Sequence, residues 1–369
     1  MCRRLAWPLL YGRAVRANLP SVQLSVVMST YNRGELLADA VRSILAQRHA
    51  NTPQFELIIV DNNSTDGTRE VIERFAAVDA RVRYVFEPQQ GSSCGRNAGI
   101  RAARASLIAF TDDDVRAQPD WLAAIMRAFD EHPDTDVVGG RVLPIWPVTP
   151  PGWLTRDHWM PLALVDYGDT PLGVSANHPI CLVTANCSFR RRIFDLVGVF
   201  APEFGLSKDG ILGSVEDQEL QLRVMRAGRR VFYDPRIVVH AAIQPDRLQR
   251  TYHRRWHSGH GHFHALLRSE DMEQTRVGTL LGVPAHLYRQ AFHDLIGWAR
   301  AEVTRNRERA FQHELRLRFF SSFFTTRRRE FAKKPLPERL GEVRRLLPIG
   351  VRAREPVTET ARTRVAGGK

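Results

Sequence analysis

From about residue 22 the chain alternates short, wholly apolar runs with amphipathic stretches, and few architectures accommodate that rhythm. LSVVMST (24–30) has no polar face, so it reads as a strand covered on both sides. Glu35 to Ala46 follows, with Leu36, Leu37, Ala40, Val41 and Ile44 on one helical face. FELIIVD (55–61) is a second strand, and NNSTDGT supplies the turn and N-cap residues for a helix through Phe75. RVRYVFE (81–87) is a third strand, followed by a helix near Cys94 to Ala103. SLIAFTD (106–112) is a fourth, and Pro119 opens the next helix at its favoured first position. Strands alternating with helices predict an α/β fold, a largely parallel sheet covered by helices.

Residues 144–180 interrupt the pattern with seven prolines and three tryptophans, Trp146, Trp153 and Trp159. A loop that long inside a compact domain is functional or disordered. Regularity returns with ICLVTANCSF (180–189), helices from Arg190 and from Val215 to Ala227, and paired strands RVFYD and RIVVH. Beyond Pro245 the chain reads as helical and basic. The expected divisions are an N-terminal extension (1–21), an α/β domain (22–245), a helical basic region (246–330) and a weakly ordered tail (331–369).

Charge separates these parts. Of a net +13, residues 247–369 hold 26 Lys/Arg against 12 Asp/Glu, leaving the first 246 residues near neutrality. Such a basic part seeks anionic surfaces or forms a solvated helical face. The Arg-interrupted start MCRRLAWPLLYGRAVRA reads as a surface extension rather than a signal peptide. No run reaches the ~18 to 20 apolar residues of a membrane span. Cys2, Cys94, Cys181 and Cys187 form no CxxC pair, which fits reduced thiols and a cytoplasmic location.

Ligands in open α/β sheets sit beyond the carboxyl ends of strands. Thr30-Tyr31-Asn32, Asp61-Asn62-Asn63, Asp112-Asp113-Asp114 and His240 all fall at such ends. Three adjacent carboxylates repel one another by ~1 to 4 kcal/mol per pair at about 4 Å, so a countercharge is expected. A phosphatase-type DxDx[TV] reading fails, because Arg116 stands where Thr or Val is required. Ser214-x-x-Asp217 approximates a capping box.

LSVVMSTYNRGELLADAVRSIL, FELIIVDNNSTDGT, GSSCGRNAGIRAARASLIAFTDDDVRAQPDWL and SVEDQELQLRVMRAG together resemble the successive motifs of family 2 glycosyltransferases, from about Leu24 to His240. The resemblance implies a GT-A fold, Rossmann-like and mostly parallel, and transfer of a sugar from a nucleotide-diphosphate sugar, UDP-linked by preference, with inversion. It assigns Asp112 and Asp114 to a divalent cation, Mn²⁺ or Mg²⁺, with His240 completing the set. Asp113 is the spare acid, grouped with the nucleotide-sugar contacts although adjacent strand residues point oppositely. Thr30, Tyr31, Asp61 and Arg96 are implied nucleotide-sugar contacts, Asp61 through a ring N–H of the base. Asp217 is the implied base, with Glu216 its neighbour, and Asn186 belongs to the acceptor side. A glycan or lipid-linked acceptor fits polysaccharide or glycoconjugate synthesis. The alternatives are a sugar nucleotidyltransferase and a non-catalytic nucleotide-sugar binding module.

In the basic region, His253, His257, His260 and His264 share a helical face, which Gly259 and Gly261 should weaken; no acidic or Cys ligand joins them. Tyr252-x-x-Arg255-Trp256 echoes the QxxRW motif of processive synthases, with Tyr in place of Gln. Leu287, Phe292, Leu295 and Trp298 interleave with arginines. That pattern suits peripheral contact with an anionic membrane, at the inner face of the plasma membrane, and equally suits packing on the α/β domain. No recognition motif supports nucleic-acid binding.

Overall fold

The structure, a computed structural model, describes residues 22–174, 180–206, 210–268 and 278–339. The N-terminal extension and residues 340–369 of the expected tail lie outside the described residues, while residues 331–333 close the helix Arg307–Lys333.

The four strands expected first are β1 (Leu24–Thr30), β2 (Phe55–Asp61), β3 (Val82–Phe86) and β4 (Leu107–Asp112). They pair in parallel in the order β3-β2-β1-β4. The order reverses at β1, so a crevice opens beyond the carboxyl ends of β1 and β4. Helices α1 (Gly34–Leu45), α2 (Thr68–Val78), α3 (Ser92–Ala102) and α4 (Trp121–Glu131) connect the strands and cover the sheet. Leu37, Ala40, Val41 and Ile44 of α1 are buried as their spacing requires, each large aliphatic side chain contributing about 1.5–3 kcal/mol.

Helix α3 lies unusually close to β1. A Cβ on Gly95 would come within 2.1 Å of Ser29 Oγ, and one on Gly99 within 2.2 Å of a Val27 methyl. The two glycines thus set the depth at which α3 seats and where its Arg96 reaches.

Beyond β4 the sheet continues through β8 (Cys187–Arg190), antiparallel, then β6 (Thr135–Ile145), β9 (Arg230–Ala242) and β5 (Val115–Ala117), with β7 (Leu172–Val174) also on β9. The mostly parallel, helix-flanked sheet expected from the sequence is therefore present. RVFYD and RIVVH are one strand rather than two. Asp234 accepts from Arg236 N and its guanidinium, so Pro235 sits in a local bulge, and β9 rejoins β6 with its direction unchanged. Only the end of ICLVTANCSF is extended; residues 184–186 form a 3₁₀ turn before β8, and α5 (Arg192–Val197) follows. Helix α6 (Glu216–Arg226) starts at the acidic pair.

The basic region forms α7 (Arg250–Leu267), a short hairpin of β10 (Thr279–Leu280) and β11 (Val283–Pro284), α8 (Ala285–Val303) and α9 (Arg307–Lys333). The Pro/Trp-rich loop is a clamp between the two parts. Trp153 packs edge-on against His158, His253 of α7 and Phe311 of α9, at 5.0–5.5 Å between ring centres. Trp146 and Trp159 also pack on the core. Gly259 and Gly261 leave α7 continuous, because each meets a neighbouring backbone where a Cβ would clash: Leu212 O at 1.8 Å and Phe319 O at 2.2 Å.

Candidate active site

The parallel register puts Thr30 beside Asp61, and Ser29 beside Asp112, at one level on the carboxyl edge of the sheet. Asp61 is buried; its carboxylate accepts from Ser64 N (2.9 Å) and from the Tyr84 hydroxyl (3.3 Å). Tyr31 is exposed beside it, and Thr30 is buried. Asn62 is a strut: it donates to Glu87 O and Gln89 O and accepts from Gly91 N, holding the approach to α3.

Arg96 is the centre of the site. Its guanidinium lies 2.8 Å from Glu216, 3.5 Å from Asp112 and 4.0 Å from Asp217. One cation therefore joins the end of β4 to the start of α6, two acidic clusters about a hundred residues apart in the chain. Desolvation opposes the Arg96 charge, but Asp217, Asp112 and Glu216 outweigh it and hold the charge firmly.

Glu216 and Asp217 are placed differently. The Glu216 side chain is 6% exposed and bonded to Ser92 Oγ and Arg96, whereas that of Asp217 is 20% exposed. The expected capping box is absent: Val215 is the N-cap residue and makes no side-chain cap. Asp217 turns instead to Thr184, accepting from its N–H (3.0 Å) and its hydroxyl (2.9 Å). Burial first, and the Glu216 carboxylate second, raise the Asp217 pKa to about 7 against the pull of Arg96 and Thr184. A carboxylate held by an orienting group and poised near neutrality has the attributes of a general base.

The acidic trio divides by burial and by partner. Asp112 keeps a third of its side chain exposed and faces Arg96, while Asp113 and Asp114 are both nearly buried and share Arg33, at 2.9 and 3.0 Å. Arg247, from the start of the basic region, lies 3.8 Å from Asp114. Burial raises the Asp113 carboxyl to about 6, with Arg33 opposing and Asp114 reinforcing. Burial and then Asp112 raise Asp114 also, and Arg247 and Arg33 offset them. Arginine supplies the countercharge here, and Asp113 is a partner of Arg33.

Two further expected residues lie against the sheet. His240 sits within β9 opposite Arg116 and Leu143, and among the described residues no three His, Cys, Asp or Glu side chains gather as a metal-holding set. Ala242 N donates to Asp114 O (2.8 Å) in the same ladder, so His240 lies two residues along β9 from the strand position that meets Asp114. Asn186 is buried; its amide donates to Arg141 O and Ile237 O and accepts from Trp121 Nε1, so it ties the sheet together. Asp112 and Asp114 still suit a hard cation, since Mg²⁺-type sites use one or two carboxylates and complete themselves with substrate phosphates.

Arg33, Arg247, Thr184 and Ser92 were not singled out from the sequence. Arg33 alone had a signal, directly after the strand-end cluster Thr30-Tyr31-Asn32; the others reach the site through tertiary folding. The four histidines share a face of α7 as expected, but their partners are internal. His257 Nδ1 donates to His253 O, and His260 Nδ1 donates to Gly213 O (3.0 Å), with the His260 ring stacked on Trp256. Burial pushes all four imidazoles toward the neutral form.

Residues 25–198 match the family model described as "Glycosyl transferase family 2". Glucosyl-dolichyl phosphate glucuronosyltransferase from Haloferax volcanii is 28% identical over 215 residues, 58% of this chain and 67% of that protein. Validoxylamine A glucosyltransferase from Streptomyces hygroscopicus subsp. jinggangensis is 38% identical over 107 residues, 28% of this chain and 25% of that protein. The chain thus spans two thirds of the first relative's length and a quarter of the second's. Among solved structures, a mannosyltransferase from Pyrobaculum calidifontis in complex with GDP-Man and Mn²⁺ superposes with a TM-score of 0.49 at 16% identity, covering 88% of this chain and 81% of that one.

Proposed function

We propose that this chain, whose residues 25–198 belong to glycosyltransferase family 2, transfers a sugar from a nucleotide-diphosphate sugar to a hydroxyl acceptor with inversion at the anomeric carbon. One observation carries the reading. Arg96 holds Asp112 at the switch point and the Glu216–Asp217 pair within 4.0 Å of one guanidinium, so donor and acceptor groups converge.

The nucleotide end of the donor lies over the edge where Thr30, Tyr31 and Asp61 gather, with Asp61 and the Tyr84 hydroxyl able to meet the base. The diphosphate lies over Asp112 and Asp114. These two carboxylates would hold a divalent cation, Mn²⁺ or Mg²⁺, which when bound stabilises the departing diphosphate as a Lewis acid. The acceptor oxygen attacks the anomeric carbon as the bond to the diphosphate oxygen breaks; the bonding pair leaves with the diphosphate. Asp217, turned toward the crevice by Thr184, takes the hydroxyl proton, and Glu216 keeps Arg96 in place. Holding acceptor and anomeric carbon in line supplies much of the remaining acceleration.

A panel of UDP-, GDP- and dTDP-sugars with Mn²⁺ and acceptor extracts tests this. Release of the nucleoside diphosphate with glycosylated product is the expected result. Pyrophosphate release identifies a nucleotidyltransferase, and donor binding without release identifies a binding module; either overturns the reading. A UDP-sugar and a glycan or lipid-linked glycan acceptor are the preferred substrates.

A further inference from the structure

Helix α8 leaves an apolar face uncovered. Leu287 is buried against α9, but Phe292 is 59%, Leu295 47% and Val303 85% exposed, with exposed Ala299 between them. Spacings of three, four and four residues align these four on one stripe about three turns long. Trp298 borders the stripe, and the exposed Leu280 and Leu281 lie at the turn of the hairpin just before α8. Packing within the C-terminal helical part therefore accounts for Leu287 and not for the rest.

Charge decides what covers the face. Residues 278–339 hold 13 Lys/Arg and 6 Asp/Glu. Exposed Arg289 and Arg300 follow the same flank of the stripe, one or two positions off it in helical projection. A second copy of this chain would bring two such basic faces together, which repel. An anionic bilayer receives the apolar stripe and attracts the flanking arginines at once. We infer that the α8 stripe, with the hairpin tip, is a docking surface for an anionic membrane, lying in the interface plane. Among the described residues no helix is long and apolar enough to cross a membrane.

The full chain is sedimented with vesicles of phosphatidylcholine alone and of phosphatidylcholine mixed with phosphatidylglycerol. Binding is expected to the mixed vesicles, falling with added salt, and to be about tenfold or more weaker without the anionic lipid. Phe292→Asp with Leu295→Asp should abolish it. Arg289→Gln with Arg300→Gln should weaken it about tenfold. All four positions are exposed, and an unchanged circular dichroism spectrum shows that the variants fold. Equal sedimentation of wild type and the Asp variant overturns the inference. So does a dimer by light scattering that the Asp substitutions dissolve without any vesicle binding. The readout involves no turnover, so its failure leaves the transfer reading standing, and the converse holds.

Discussion

At the scale of single residues the site is a charge network in which position fixes role. Asp217 and Glu216 are adjacent in sequence, yet one is held by Thr184 and stays a fifth exposed while the other is sealed against Ser92 and Arg96. The Asp217 pKa of about 7 makes its base form predominant only above neutrality. Its folded value lies above the ordinary carboxylate range, so kcat should fall about tenfold per pH unit below ~7. Glu216→Gln removes the negative neighbour that raises Asp217, and the acidic limb of the kcat–pH profile should move to lower pH. A limb that stays in place in that variant would assign the titration to another group. This pair was legible in the sequence as a motif. Thr184 was not, because a threonine in a 3₁₀ turn carries no sign of the partner it meets 33 residues away.

At the scale of elements, the strand–helix alternation made β1 to β4 and their helices readable, because strands covered on both faces have no polar positions. Reading failed where a local rule met a tertiary one. Gly259 and Gly261 suggested a weak helix, but they are the places where α7 meets the 211–213 segment and α9 at backbone distance. In the proposed mechanism the first contact bears on catalysis. Gly213, at φ +83, faces Trp256 O and His260 N, and its carbonyl accepts from His260, three residues ahead of the acidic pair. Gly259→Ala should displace that segment, lowering kcat by about ten- to a hundredfold and stability by about 1–3 kcal/mol. Donor affinity should hardly change. Calorimetric titration beside steady-state kinetics checks this; a loss confined to donor affinity would place α7 on the nucleotide side.

At the scale of the whole molecule, a nearly neutral α/β body and a basic helical part are joined through the Trp153 cluster and through Arg247, which reaches Asp114. The C-terminal part thus contributes to the electrostatics of the acidic trio as well as presenting its own outer surface. The charge imbalance was plain from the sequence, but which apolar residues stay uncovered depends on how α8 lies against α9. Asn186 shows the same limit: an amide near a motif was readable, while its partners Trp121, Arg141 and Ile237 were not. The central claim is that Asp112 and Asp114 serve the donor while Asp217 serves the acceptor. It is tested most directly by titrating donor with Mn²⁺ and measuring single-turnover transfer in Asp114→Asn and Asp217→Asn. Metal-dependent donor binding should be lost in the first. In the second, binding should be retained while transfer falls by about 10²–10⁴-fold. Near-normal transfer by Asp217→Asn, or intact metal-dependent binding by Asp114→Asn, would contradict the account.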